Sequence, residues 1–391
     1  MTRGRGTGQV AVGAGDRPGV APGGSAPWSR APEVPPGRAA VVGTGLIGGS
    51  VGLALRARGW HVTGSDADPE RAQRALELGA LDALGEDPGA EVVVVATPVS
   101  AVSKVAQAAL ADEGAPGGRV VTDVGGVKAP VVAAVDHPRF VGGHPMAGSE
   151  QEGVDGADAA LFEGATWVLT PTSTTNPEAF ARLGAIVSSF GAEVLAIPPE
   201  GHDALVALVS HVPHLTAATL MDLAADGAQE HAALLRLAAG GFRDMTRIAA
   251  GHPGIWPDIC AENREAIVAG LDRLLEALGG VRRAVAAGDR GELMSVLERA
   301  RTARRNLPAR GPGAADLVEL RVPVADRPGA LAEVTTLAGR LGANIADLEI
   351  AHSAEGDRGV VILVVGAASV GLVRRSLVAA GLRPSSLRRL D

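Results

Sequence analysis

The feature that most constrains this chain is a short apolar run, Ala39, Ala40, Val41, Val42, which enters Gly43-Thr44-Gly45-Leu46-Ile47-Gly48 and then a helical pattern. Strand, glycine turn and helix in that order predict a dinucleotide-binding unit. Gly43 permits the tight turn, Gly45 lets the backbone approach a pyrophosphate, and Gly48 lets the helix pack on the strand. The helix N-terminus, with Thr44, Leu46 and Ile47, then meets the phosphates without a charged side chain. A second apolar stretch, Trp60 to Ser65, ends at Asp66, placed to hold both ribose hydroxyls of NAD and to repel a 2′-phosphate. Arg71 and Arg74 nearby keep NADP as the alternative. In a chain with 53 glycines the turn alone means little; strand before, helix after and acid at the right distance carry the reading.

At 391 residues the chain is long enough for two or three domains. Its hydrophobic content is spread in short runs, with no stretch of about 18 uncharged apolar residues, so no membrane span is expected. Residues 1–37 are rich in Gly, Pro, Ala and Ser without periodicity and lack the apolar segment of a secretory signal, so a disordered tail is expected there. Cys260 is the only cysteine, which excludes an intrachain disulfide and fits a reducing cytoplasm. A net charge of −8 argues against nucleic acid as a partner, and the basic clusters at Arg301 to Arg310 and near Arg388 read as solvated faces. Lys104 and Lys128 are the only lysines among 36 basic residues. A lysine that persists against such a bias toward arginine is suggestive.

After Asp66 a helix from Pro69 to Leu78 leads to Glu91 through Ala96, a β-branched run that reads as a buried parallel strand. It ends in Thr97-Pro98-Val99-Ser100, at the sheet edge where doubly wound folds bind ligands. A helix to Ala111 and a strand from Arg119 to Asp123 follow, and the next loop carries Lys128, so Asp123 and Lys128 share the edge of the glycine turn. Asp123 as a helix cap and Lys128 as a surface residue are the plain alternatives. A further strand from Phe140 runs into His144, a residue able to abstract a proton near neutral pH. Two more strands, Thr166 to Thr170 and Ala192 to Ile197, flank a helix from Pro177 to Phe190 and extend the same sheet.

From Pro199 to Asn306 the pattern is helical throughout. His211 and His214, at i and i+3, fall on one helical face. No cysteine lies near them, so a substrate-facing pair is favoured over a metal site, and no metal is expected. Gly240-Gly-Phe-Arg243-Asp244-Met-Thr-Arg247 places two arginines at i and i+4 with Asp244 able to pair with either, which suits a carboxylate substrate or a surface salt bridge. After a linker at 308–313, strand Asp316 to Val324, helix Ala330 to Leu341, strand Ile345 to His352, strand Gly359 to Val365, helix Ser369 to Ala380 and a last short strand give a ferredoxin-like βαββαβ unit.

In order and spacing, GTGLIGGS, ATPVSAV, TDVGGVK, GGHPMAGSE, SHVPHL, GGFRDMTRIA and the Pro-x-x-Trp segment resemble the prephenate dehydrogenase family, which makes the tyrosine precursor; the match covers residues 38–310. The tail from Leu317 is similar to an ACT domain. The resemblance implies an α/β protein: a disordered tail at 1–37, a Rossmann-type NAD domain at 38–198, an all-α substrate and dimerisation domain at 199–311, and an ACT regulatory domain at 316–391. It implies that His144 is the base that takes the ring hydroxyl proton of prephenate while NAD accepts the hydride. Gly43 to Gly48, Asp66, Thr97, Pro98, Asp123 and Lys128 would hold the cofactor. Arg247, oriented by Asp244, would bind a substrate carboxylate, with Gly240 in the same motif. His214, with His211 behind it, would meet the side-chain end, and Trp256 would close the site, the partner subunit being one source. Asp326, Pro328, Gly329, Ala330 and Leu331 would hold tyrosine or another aromatic amino acid. One departure matters: where the family commonly has a serine that assists the histidine, this chain has Gly126, leaving Ser149, Thr122 or a water as substitutes. The same residues suit arogenate as substrate, and Gly126 with the ACT-like tail motivates a non-catalytic NAD and amino-acid sensor. A soluble cytoplasmic homodimer is implied.

Overall fold

The computed structural model describes residues 34–111, 118–149, 151, 153–230, 233–251, 253–307, 317–325, 327–352, 358–384 and 386–390. Most of the tail read at 1–37, the linker at 308–313, His252 and Asp326 lie outside the described residues.

In chain order the first region comprises β1 (Arg38–Val42), α1 (Leu46–Arg56), β2 (His61–Ser65), α2 (Pro69–Glu77), β3 (Ala83–Leu84), β4 (Val92–Val95), α3 (Val99–Ala111), β5 (Val120–Asp123), α4 (Ala129–Val135), β6 (Phe140–Pro145), β7 (Thr166–Thr170), α5 (Pro177–Ser189) and β8 (Glu193–Ala196). The strands form one eight-stranded sheet in the order β3-β2-β1-β4-β5-β6-β7-β8. The strands through β6 run parallel, β7 is antiparallel to β6, and β8 is parallel to β7. Alternation along each strand feeds two cores: Ala39 and Val41 pack with Leu55, Trp167 and Phe190 on one face, while Ala40 packs with Val93, Val102 and Phe140 on the other. Burial on both faces is why β4 is four consecutive valines. Asp68 and Asn176 cap α2 and α5 by accepting two backbone N–H groups each, and a proline follows each cap.

The second region is helical: α6 (Pro199–Val206), a π-helical turn (Ala207–His211), α7 (Val212–Glu230), α8 (Gly240–Thr246), α9 (Trp256–Glu262), α10 (Arg264–Ala287) and α11 (Arg290–Arg305). Pro213 has no N–H to give the preceding turn, and the chain accommodates it by widening that turn. The regular helical face expected for His211 and His214 is therefore replaced by a π turn that ends at His211. The segment Pro199–Ala228 is, by length and composition, apolar enough to cross a membrane, although polar and charged residues interrupt its apolar run. It carries the fully buried His202 and the buried Asp203, both bonded to other elements of the fold.

The third region is β9 (Leu317–Ala325), α12 (Ala330–Arg340), β10 (Ile345–His352), β11 (Arg358–Gly366), α13 (Ala367–Ala379) and β12 (Ser386–Leu390). Its four-stranded sheet has the order β10-β11-β9-β12, all antiparallel, around a core that includes Leu320, Val361, Leu363 and Leu377. That is the βαββαβ arrangement read from the sequence.

Candidate active site

The glycine turn has the shape a dinucleotide requires. Gly43 sits at φ +93°, where a side chain would be strained, and a Cβ there would drive into the Ala96 carbonyl. A Cβ at Gly48 would strike the Gly43 carbonyl, whereas one at Gly45 meets nothing within 4 Å. The space before Gly45 is thus open at the N-terminus of α1, where unpaired N–H groups favour an anion. Asp66 stands beside it, accepting from Thr44 N at 2.7 Å and from Asp68 N at 3.0 Å. Arg71 is drawn to Asp66 and Asp68, and Arg74 to Asp155 and Glu77, so both arginines kept for a 2′-phosphate have carboxylate partners. Across the turn, at the tip of β4, the Thr97 hydroxyl oxygen is buried without a hydrogen-bond partner among the described residues, and Pro98 beside it is exposed. An unpaired buried hydroxyl beside an open phosphate cradle fits a polar ligand group laid across the strand tips.

Asp123 and Lys128 lie deeper than the sequence reading placed them. Both side chains have no exposed surface and form an ion pair with each other. The Lys128 ammonium also donates to Gly143 O at 2.8 Å, and the Asp123 carboxylate accepts from Gly143 N at 3.2 Å and Gly125 N at 2.9 Å. In this structure neither side chain reaches the nucleotide groove. They clamp both polar groups of Gly143, the residue before His144. A buried pair survives only when its remaining hydrogen bonds are satisfied, and a compact ammonium fits here where a guanidinium fork would not.

His144 is the centre of a relay that the sequence did not reveal. Its Nδ1 lies 2.8 Å from His202 Nε2, and His202 Nδ1 lies 2.7 Å from Asp203 Oδ1. The Asp203 carboxylate also accepts from Lys128 N and Ala129 N, each at 2.8 Å, at the N-terminus of α4. A carboxylate so placed only accepts, so His202 carries its proton on Nδ1 and offers Nε2 as a lone pair. His144 then carries its proton on Nδ1, which leaves Nε2 bare. Burial, aided by the neighbouring His202, Lys128 and His211, holds the His144 pKa well below the ordinary histidine value of 6.5. A bare ring nitrogen that stays unprotonated near neutral pH is a general base.

The bare nitrogen faces Gly126. A Cβ at that position would lie 3.8 Å from both Cε1 and Nε2 of His144 and within 4 Å of nothing else. Of the side chains that could replace the missing hydroxyl, Thr122 Oγ1 donates to Asp123 O at 3.3 Å, whereas Ser149 Oγ accepts from Gln151 N at 3.1 Å and keeps its own hydrogen to give.

His214 stacks on Trp256 of the same chain, with ring centroids 3.8 Å apart and planes at 17°, and His211 meets the same indole edge-on at 6.0 Å. His211 is buried, and burial lowers its pKa to about 4. Gly240, Asp244 and Arg247 lie exposed on α8 and the following 3₁₀ turn. Arg243 donates to Ala238 O at 3.1 Å. In the third region Pro328 and Gly329 line a cleft of about 720 Å³ with Arg327, Glu333 and Arg340. Ala330 is buried and Leu331 exposed, while Asp326 lies outside the described residues.

Residues 51–196 match the family model described as "Prephenate dehydrogenase, nucleotide-binding domain", and residues 198–299 match "Prephenate dehydrogenase, dimerization domain". A curated relative, the prephenate dehydrogenase of Bacillus subtilis, is 34% identical over 334 residues, covering 82% of this chain and 90% of the relative. The chain belongs to the prephenate dehydrogenase family. Among solved structures, the A. aeolicus prephenate dehydrogenase in complex with hydroxyphenyl propionate and NAD+ superposes with a TM-score of 0.64 at 30% identity, covering 68% of this chain and 97% of that one. The Synechocystis arogenate dehydrogenase superposes at 0.60, also at 30% identity, covering 68% of this chain and 98% of that one. Both family models end before the four-stranded sheet, and the first begins after the glycine turn, so membership rests on the sheet and helical regions that carry His144, His202 and Trp256.

Proposed function

We propose that the protein is an NAD-dependent prephenate dehydrogenase, converting prephenate to 4-hydroxyphenylpyruvate by oxidative decarboxylation. The observation that carries the chemistry is His144, with its Nδ1 proton directed into His202 and Asp203 and its Nε2 bare beside open space. His144 Nε2 takes the ring hydroxyl proton as the carbinol carbon loses hydride, and the ring carboxylate departs as CO2 because the product ring is aromatic. Gly43 to Gly48, Asp66 and Thr97 would hold NAD, which would supply the hydride acceptor. The charge that develops on His144 is met by His202, which passes positive character toward the Asp203 carboxylate. Arg247, oriented by Asp244 near Gly240, binds a substrate carboxylate, and His214 on Trp256 walls the side-chain end.

Residues 38–198, 199–311 and 316–391 are read as cofactor, substrate and regulatory units. The helical unit exposes Leu208, Val209, Leu223, Leu275 and Leu278 by 46, 66, 65, 65 and 52%, an apolar face that a second copy would cover in a homodimer. The cleft at Pro328 and Gly329 is read as the site of an aromatic amino-acid effector such as tyrosine, and the enzyme as cytoplasmic. Arogenate remains the second substrate because a solved arogenate dehydrogenase shares the fold over the same share of this chain. The test is NADH formation from prephenate and from arogenate, with NAD and with NADP, with and without tyrosine. Turnover on prephenate with NAD and its loss on adding tyrosine are expected. No turnover on either substrate overturns the reading in favour of a sensor.

A further inference from the structure

Asn263 stands between α9 and α10 and is 4% exposed, yet no functional motif includes it. Its side-chain nitrogen lies 3.0 Å from the main-chain oxygen of Asp203 and 3.2 Å from His211 Nδ1. The first partner fixes the assignment. A carbonyl oxygen only accepts, so the group facing it is the amide NH2, and the second hydrogen of that NH2 points at His211 Nδ1. His211 Nδ1 must then be a lone pair, and the ring carries its proton on Nε2. Asp203 therefore stands at a fork. Its carboxylate sets the proton of His202, and through it that of His144, on Nδ1; its main-chain oxygen, through Asn263, sets the proton of His211 on Nε2.

We propose that Asn263 is a positioning residue for the dehydrogenase reaction: it fixes the tautomer and ring orientation of His211, and so seats the Trp256 indole on which His214 stacks. The inference rests on the active-site reading above and adds to it a residue outside the motifs. The groups that face His211 are the Asp203 carboxylate, which favours its protonated form, and His202, which disfavours it, together with the Asn263 amide and the Trp256 ring. Burial keeps His211 neutral near pH 7, the state in which Nδ1 can accept from Asn263.

The test uses the full-length protein with 15N-labelled histidine, the His211 signals being assigned by their loss in His211→Gln. Wild-type His211 is expected to show an unprotonated Nδ1 and a protonated Nε2. A protonated Nδ1 in the wild type overturns the proposal without touching the activity reading, since no turnover is needed to see it. Asn263→Asp replaces the donor by an acceptor, so Nδ1 should become protonated. KM for prephenate should rise on the order of tenfold, as expected when one buried hydrogen-bond partner is reversed, with kcat changed by less than about threefold. An unchanged KM with a flipped tautomer overturns the link to Trp256. Should Asn263→Asp fail to fold, the wild-type spectrum alone decides the tautomer.

Discussion

The eight-stranded sheet region and the helical region bury themselves differently. In the sheet region the strands are sealed on both faces: Val41, Val62, Val95 and Val121 have no exposed surface. In the helical region long helices leave leucines more than half exposed, as at Leu223 and Leu275. The first region is complete as folded, whereas the second has apolar surface still to cover. The groups proposed for the site straddle the join, with His144 on β6 and His202, Asp203, His214 and Trp256 on the helices. The difference teaches that the proposed base is built on the finished part and tuned by the unfinished one.

Removing the base should give the largest effect. His144→Ala should lower kcat by about 10²- to 10⁴-fold, the usual contribution of a general base, with an unchanged circular dichroism spectrum. Next in size, Leu275→Glu combined with Leu278→Glu puts two charges on the face proposed to meet a second copy. Sedimentation should show monomer, with activity down about tenfold or more; a stable dimer would locate the interface elsewhere. Asp203→Asn tests the join itself. An amide has one acceptor oxygen for three donors, His202 Nδ1, Lys128 N and Ala129 N, so the relay loses its direction, and kcat should fall about 10²-fold with KM less affected. In the wild type the lowered His144 pKa keeps the base neutral below pH 6.5, so kcat/KM should hold through pH 6.5 and fall only as acid crosses that lowered value. The smallest effect is expected at Gly126→Ser. The backbone there has no positive φ and the Cβ has room, so the hydroxyl can approach His144 Nε2 and raise kcat/KM a few-fold. A loss of tenfold would mean that the space is already needed by substrate or water.

Sequence and structure agree where one local pattern decides the outcome. The glycine turn, the all-valine β4 and the six elements of the four-stranded unit each declare themselves within a few residues. The two-residue β3 was too short to leave a period, and the antiparallel direction of β7 depends on a loop of 20 residues between Pro145 and Thr166 rather than on its own composition. His202 and Asp203 cannot be read from the sequence because their meaning is spatial. His202 lies 58 residues from His144, and Asp203 lies 75 from Lys128, so nothing in Pro-Glu-Gly-His-Asp hints at a relay. The place of Asp123 and Lys128 at the strand tips can be read from the sequence, but their depth cannot, because burial is set by the β6 segment that closes over them.

The widened turn at Ala207–His211 decides where chain length is a constraint. Relative to a regular helix it spends one extra residue, and each residue of an α-helix turns the chain by about 100°. Deleting one residue there would restore ordinary helical winding and, because the widened turn already absorbs the extra residue, would leave His214 on nearly the same side of the helix. Chain length is thus tolerant at the turn and strict beyond it: a one-codon change inside the regular α7 would turn the residues after it by about 100°.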